Sequence, residues 1–143
     1  KVYFKLIGSE DYFNAELDIK GLPWKKDTEV KDLQEIDIGI MPLPNDEWAK
    51  GKCGLKGLQY MALAIPTIMS PVGVNSEIIK DGENGYLASS TEEWVNKLSL
   101  LIDSPKLREV TGQNGRQTVI SKFSIEANKH LYLQYFTEAM KIS

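Results

Sequence analysis

The sequence predicts an α/β domain built on a mostly parallel sheet with helices against it, followed by a helical C-terminal region. Two observations lead to this fold class. Short apolar runs, bounded by glycine and proline, alternate with segments whose apolar residues recur every three or four positions. From about residue 90 onward only the helical periodicity continues. Alternation of strand and helix is typical of parallel strands connected by helices.

The N-terminal part is predicted to hold three strands and one helix. Val2–Ile7 is apolar and ends at a glycine, whereas Ala15–Ile19 is a weaker extended stretch. Thr28–Gln34 has helical spacing and a polar cap at its start. Ile36–Met41 is a nearly continuous apolar run, which is typical of a strand buried on both faces, and prolines follow it.

The middle of the chain is predicted as a polar loop, a buried helix and two core strands. Leu55–Ala64 is apolar on most sides, so we expect this helix to be buried. Thr67–Ser70 is a short core strand, and Ser76–Ile79 is a short helix. The last strand, Tyr86–Ala88, follows a turn at residues 81–85 that contains two glycines able to adopt positive φ.

Three helices are predicted after the last strand. Ser90 begins the first, with acidic residues in the first turn, and Ser104-Pro105 begins the second. Ser124 begins the third. One face of that last helix is predicted to carry Ala127, Leu131, Tyr135 and Ala139.

Length and composition are those of one globular domain, residues 1–143. The chain is 42% hydrophobic and 26% charged, which excludes a disordered tail or a fibrous repeat. Its net charge of −3 predicts no general surface for nucleic acid. The single cysteine suggests a reducing compartment, for which the cytoplasm is the natural expectation. No apolar run approaches the length that spans a bilayer.

Residues 50–59 are the strongest candidate for ligand binding. Gly51 and Gly54 lie in a loop that leaves the sheet and enters the predicted buried helix. Helix N-termini bind anions, and ligands of open α/β sheets bind at the carboxyl ends of the strands. Lys52 and Lys56 can place positive charge on phosphate oxygens. From these residues alone, a phosphate site and an ordinary connection with solvated lysines remain equally open.

Three consecutive segments resemble the donor-binding C-terminal half of GT-B glycosyltransferases of the retaining family 4. The segments are Leu58–Ser70, Pro71–Ile79 and Asp81–Leu87, and the match extends over about residues 30–125. The resemblance implies a Rossmann-like domain that binds a nucleotide diphosphate sugar. It also implies that the whole enzyme transfers a hexose to a glycan, lipid or small acceptor, as in cell-envelope polysaccharide synthesis, with retention of configuration.

The resemblance implies a donor site made of Gly51, Lys52, Cys53, Gly54, Leu55, Lys56 and Gln59. Gln59 stands where the family has a glutamate that holds the ribose hydroxyls, and Gly51 stands where it has a glutamate that contacts the sugar. Glutamine can still bond a diol, though more weakly than a carboxylate, whereas glycine has no side chain to do so.

Two further parts of the donor site are implied by the same resemblance. Pro23 and Trp24 correspond to the segment against which the nucleotide base rests, although Trp24 can equally well only close the sheet edge. Gly73 lies in the turn that approaches the donor sugar. No metal and no cofactor other than the sugar nucleotide is expected.

The resemblance also indicates what the chain lacks. Family members carry an arginine and a lysine after their first strand, but Glu10 and Asp11 follow Val2–Ile7. Either the chain starts after that first strand or the enzyme lacks the pair. We expect the former, because residue 1 already adjoins a predicted strand, and we expect an acceptor-binding half upstream. That half is the expected partner and source of the acceptor-facing catalytic residues, so the fragment alone is expected to be inactive. The whole enzyme is expected in the cytoplasm or peripherally on a membrane.

Other interpretations compete with this one. Cys53 at a helix N-terminus could be a nucleophile, but packing is the better prediction because no histidine is near in sequence; His130 is expected to be solvated. A receiver-like or other interaction module would explain Glu10-Asp11 but lacks a phosphoacceptor aspartate after Ile36–Met41. A GT-B-like sugar-nucleotide epimerase would require catalytic carboxylates and histidines, which are scarce in the loops.

Overall fold

The computed structural model describes residues 1–141, which form two compact units. The first unit covers Lys1–Ile36 and the second begins at Asp37. Each unit contains one three-stranded sheet. That residues 1–143 act as one nucleotide-sugar-binding domain stays a prediction.

The first unit is a small sheet with one helix. Its strands are β1 (Leu6–Ile7), β2 (Phe13–Asn14) and β3 (Ile19–Leu22), and its helix is α1 (Glu29–Gln34). The order is β1-β3-β2, with β1 parallel and β2 antiparallel to β3. This sheet is therefore mixed rather than parallel.

Both strands predicted here at the N-terminus need correction. Of Val2–Ile7 only Leu6–Ile7 pairs with a neighbouring strand. The prediction of a strand over Ala15–Ile19 is wrong, because the chain turns there and Asp18 has a φ of 51°. β3 continues instead to Leu22, where the hydrogen bonds to the two neighbouring strands are made. An apolar sequence predicts an extended conformation but not which of its residues form hydrogen bonds with a neighbouring strand.

The second unit contains a parallel sheet in the order β4-β5-β6. Its strands are β4 (Gly39–Met41), β5 (Thr67–Met69) and β6 (Tyr86–Leu87). Each is shorter than predicted but lies within a predicted strand, and both pairings, β4 with β5 and β5 with β6, are parallel. The helices are α2 (Glu47–Lys50), α3 (Leu55–Ala62), α4 (Asn75–Ile78), α5 (Thr91–Asp103), α6 (Pro105–Thr118) and α7 (Ile125–Lys141), with a π-helical segment at Val119–Phe123 between the last two.

Successive residues of β5 enter two different hydrophobic clusters, because side chains of a strand alternate between its faces. Met69 packs with residues of α3 and α4, including Met61 and Ile78. Ile68 packs with Tyr86 and with Leu101 of α5. Helices thus cover the parallel sheet on both faces, which confirms the predicted fold class.

The helix α3 is shorter and more exposed than predicted. It ends at Ala62 rather than Ala64, because Ala64 adopts a φ of 58° and reverses the chain. Its buried residues are Gly57 and Met61, whereas Leu55 is 55% exposed. The other residues from Leu58 to Ala62 are half-buried, so the helix is largely covered as expected but exposed at its start.

The starts of the last three helices are confirmed. Ser90 and Glu93 form a reciprocal capping box, and three hydrogen bonds from Ser89 and Ser90 lower the pKa of the Glu93 carboxyl to about 2. Ser104 caps α6, and Ser124 accepts from Ala127 at the start of α7. The helical C-terminal region is thus as predicted.

The helix α7 has no buried side chain along Ile125–Lys141. Of the four residues predicted to share one face, Ala127 is half-buried, and Leu131, Tyr135 and Ala139 are exposed. Across residues 1–141, none of the helices combines the length and the apolar character needed to cross a bilayer.

The helix α6 lies close to the backbone at Ala64, where the chain reverses after α3, and this contact leads to a prediction about stability. A Cβ on Gly112 would overlap the Ala64 carbonyl oxygen, which is backbone and cannot rotate away. We expect Gly112→Ala to lower the free energy of unfolding by about 1–3 kcal/mol, measured by urea denaturation. The neighbouring exposed Gln113→Ala should change it by less than about 0.5 kcal/mol. Equal stability of the two variants would contradict the packing described here.

Candidate functional site

The carboxyl ends of β4 and β5 lie at the same edge of the parallel sheet and are tied together there. The Ser70 N–H donates to the Met41 carbonyl at 3.1 Å, and the Leu43 N–H donates to Ser70 Oγ at 2.9 Å. This is the edge at which open α/β sheets bind ligands. The segments that leave it build the candidate site.

The first segment passes through α2, which lies within the stretch predicted as a loop. Asp46 caps this short helix by accepting from the Ala49 N–H at 2.7 Å, and Ala49 is buried. The Gly51 and Lys52 N–H groups then donate to the Ala49 carbonyl. Gly51 has a φ of −76°, and a Cβ there would make an ordinary van der Waals contact 3.5 Å from the Trp48 carbonyl oxygen, so its backbone does not require glycine.

Gly54, the N-cap of α3, has a backbone that does require glycine. Its φ is 69°, and a Cβ there would overlap Ile78 Cδ1 and lie 3.2 Å from Asn75 Oδ1. The loop therefore rests directly on α4. Because Gly54 has no side chain, no side chain caps α3 at this position.

Gly73 brings a second segment against the first. It follows β5, has a φ of 56°, and a Cβ on it would lie 2.5 Å from the Lys50 carbonyl oxygen. The predicted sugar turn thus touches the residue before Gly51. In this way the structure brings Gly51, Gly54 and Gly73 together.

The N-terminus of α3 has the electrostatics of an anion site. The first turn of a helix carries N–H groups without intrahelical partners and the positive end of the helix dipole. No acidic residue lies in the first turn of α3. Lys52, Cys53 and Lys56 are exposed around it, so two cationic side chains and a free thiol border the site, and the prediction that Cys53 packs is wrong.

Gln59 occupies the fifth position of α3. The residue is half-buried, and its side-chain oxygen does not reach solvent. Contact between that oxygen and a ribose hydroxyl therefore requires a change of side-chain rotamer. The ribose role of Gln59 stays a prediction.

Pro23 and Trp24 lie in the first unit, directly after β3. The Trp24 indole N–H donates to Glu29 Oε1 at 2.9 Å, and the ring is half exposed. This bond fixes one edge of the indole and leaves part of its surface open. Contact with a nucleotide base remains a prediction for these two residues.

The sequence prediction missed Asn75. It is 1% exposed, its amide donates to the Ser70 carbonyl at 3.0 Å, and its Oδ1 is buried beside Gly54. Within residues 1–141 this oxygen has no hydrogen-bond partner. A short polar residue after a glycine turn is the only signal in the sequence, and the same signal marks many ordinary helix starts.

No group of three or more histidine, cysteine, aspartate or glutamate side chains able to hold a metal ion occurs in residues 1–141. The expectation that the reaction needs no metal is left untested by this finding and stays a prediction.

The site sits within a region that matches a family model. Residues 14–118 match the model described as glycosyl transferases group 1. The chain belongs to this family. The match includes every residue of the donor site named above, from Pro23 to Gly73.

Comparison with individual proteins supports this family assignment. The glycosyltransferase 1 domain-containing protein 1 of Xenopus tropicalis is 28% identical over 138 residues, which are 92% of this chain and 40% of that protein. The C-terminal domain of the glycosyl transferase group 1 family protein LpcC from Francisella tularensis is 31% identical, with a TM-score of 0.61 over 78% of this chain and 57% of that one.

A third protein, HepE of Anabaena, was solved with UDP and with UDP-glucose. In the UDP complex its TM-score is 0.65 at 16% identity, over 85% of this chain and 33% of that chain, so the likeness shows a shared fold. The present chain spans less than two thirds of each of these proteins. Its fold is that of the C-terminal half of a GT-B glycosyltransferase.

The contrast between two glycines of the loop gives a prediction. Gly54→Ala should lower the free energy of unfolding by about 1–3 kcal/mol, since it combines a positive φ with an overlap on α4. Gly51→Ala is the matched control and should be neutral or stabilising by up to about 1 kcal/mol. Urea denaturation measures both. A Gly54→Ala variant as stable as Gly51→Ala would refute the packing of the loop on α4.

Proposed function

We propose that this chain is the nucleotide-diphospho-sugar-binding half of a retaining glycosyltransferase that transfers a hexose to a glycan, lipid or small acceptor. One observation carries the proposal. The N-terminus of α3, entered through Gly54, opens at the carboxyl edge of a parallel sheet, between Lys52 and Lys56 and without a first-turn acid. This arrangement favours a bound diphosphate.

A diphosphate at this position would receive hydrogen bonds from backbone N–H groups and charge from the two lysines. The same groups would stabilise the negative charge that develops on the diphosphate as the sugar departs. The complexes of Anabaena HepE with UDP and UDP-glucose support a nucleotide sugar as the ligand class.

Other donor-site residues contact the sugar and the ribose in this proposal. Gly73 approaches the sugar, since its turn packs against the loop at Lys50. Gln59 contacts the ribose after a rotamer change. Contact of the base with Pro23 and Trp24, in the first unit, stays a prediction. Gly51, which lacks a side chain, leaves the space beside the sugar open.

The acceptor, the catalytic residues that face it and the second wall of the cleft belong to an upstream half in this proposal. The chain alone is then inactive and binds nucleotides weakly. No obligatory metal is part of the proposed reaction. Family membership favours it over a receiver-like module and over a sugar-nucleotide epimerase.

The two lysines provide the test. We expect the chain to bind UDP and UDP-glucose with dissociation constants in the high micromolar range or weaker, about −4 to −6 kcal/mol. Replacing Lys52 and Lys56 together by alanine should weaken UDP binding by about 1–3 kcal/mol and leave uridine binding unchanged, because the lysines face the diphosphate. Calorimetric titration or NMR measures both ligands.

A matched control separates this effect from net charge. Lys106 and Lys129 are also exposed, and each forms an ion pair with a glutamate on its own helix. Their double alanine variant removes the same charge away from α3 and should bind UDP as the unmodified chain does. Equal losses for UDP and uridine, or equal losses in the two double variants, would refute the diphosphate site.

Gln59→Glu tests the ribose assignment. A carboxylate would form a charge-assisted hydrogen bond to the ribose diol, and repulsion from the diphosphate would offset part of this gain. We expect a net gain in UDP affinity of at most about 1 kcal/mol. The comparison with 2′,3′-dideoxy-UDP is the control, because the gain should vanish without the diol. A gain that persists for the dideoxy nucleotide would exclude ribose contact.

A further inference from the structure

A cavity of about 540 Å³ opens between α4, the turn that follows it and the end of α6. Its lining includes Ser76 and Glu77 of α4, Asn84 of the turn and Gln117 of α6. None of these belongs to the donor site described above. The volume lies in the range of pockets that hold small molecules.

Two hydrogen bonds between side chains and distant residues frame the cavity. Asn84 donates to Thr118 Oγ1 at 3.0 Å, and Asn114 donates to the Glu83 carbonyl at 2.9 Å. Both bonds join the turn to α6. The two walls are therefore tied to each other.

The π-helical segment shapes the third wall. Gln117 and Lys122 both line the cavity although they are five residues apart. In an α-helix five residues rotate the chain by about 140° from the starting direction, which places such side chains on different faces. Gln117 lies near the end of α6 and Lys122 lies within the π-helical segment Val119–Phe123, so the wider turn of that segment changes the direction of Lys122 relative to α6. Such segments are frequent at functional sites.

The charges of the lining indicate a neutral ligand. Lys80 and Glu83 pair at 2.7 Å, and Glu77 and Lys122 balance each other in sign. The lining contains no aromatic side chain on which a nucleobase could stack. Four lining groups make no side-chain hydrogen bond or ion pair within residues 1–141: Ser76, Glu77, Gln117 and Lys122.

These four groups are a hydroxyl, a carboxylate, an amide and an ammonium. The lining of the cavity therefore contains both hydrogen-bond donors and acceptors. A sugar presents the complementary pattern, because each hydroxyl both donates and accepts. We propose that this cavity binds a neutral sugar unit. The proposal is independent of the donor site, since it uses none of the same residues.

The test is an NMR titration of the isotopically labelled chain with glucose, galactose, mannose and N-acetylglucosamine, read at the side-chain amides of Asn114 and Gln117. At least one sugar should shift both signals, with a dissociation constant on the order of 1–10 mM. Gln117→Ala should weaken the binding, read at Asn114, by at least about threefold. Gln113→Ala, on the same helix but outside the lining, is the matched control and should not change it.

Several outcomes would overturn the proposal. They are no shift at Asn114 and Gln117 with any of the four sugars, shifts confined to the backbone amides of residues 51–56, or equal weakening by Gln113→Ala. A stronger response to glycine or to inorganic phosphate would show that the ligand class is wrong. UDP binding is read at residues 51–56, so failure of the donor site and failure of this cavity give different signals.

Discussion

The absence of a side chain at Gly54 is the constraint on which the candidate donor site depends. A methyl group there would overlap Ile78 and press on Asn75, so the loop could not lie on α4. The positive φ of the same residue turns the chain into α3. One glycine therefore fixes both the depth of the loop and the direction in which the helix N-terminus points.

A second close approach completes the arrangement. Gly73 packs against the Lys50 carbonyl, which places the turn after β5 beside the loop that leads to α3. Ser70 links both to the sheet, because it accepts from Leu43 and its carbonyl accepts from Asn75. The edge of the sheet, the loop and the turn thus form one connected unit. An anion bound at α3 would meet a surface that is already in place.

Much of the second unit could be predicted from sequence, because its signals are local. Apolar runs marked β4, β5 and β6, and the Ser90 and Ser104 caps marked two helix starts. The linked motifs around α3 identified the family and the candidate loop. Strand ends could not be predicted, since they depend on partner backbones. The burial of Asn75 could not be predicted either, because it depends on contact with Gly54. The π-helical segment could not be predicted, because its i to i+5 hydrogen bonds produce no recognisable periodicity in the sequence.

One departure of this chain from its family, Gly51, falls where packing imposes little. A Cβ on Gly51 would make only ordinary van der Waals contact, so the structure accommodates a side chain there or none. Gly54 and Gly73, which hold the loop in place, have no such freedom. Lys52 and Lys56 are exposed and can change without disturbing the core. Different residues therefore hold the loop in place and contact the ligand. Residues that contact the ligand can change while the loop, the helix and the sheet edge keep their positions.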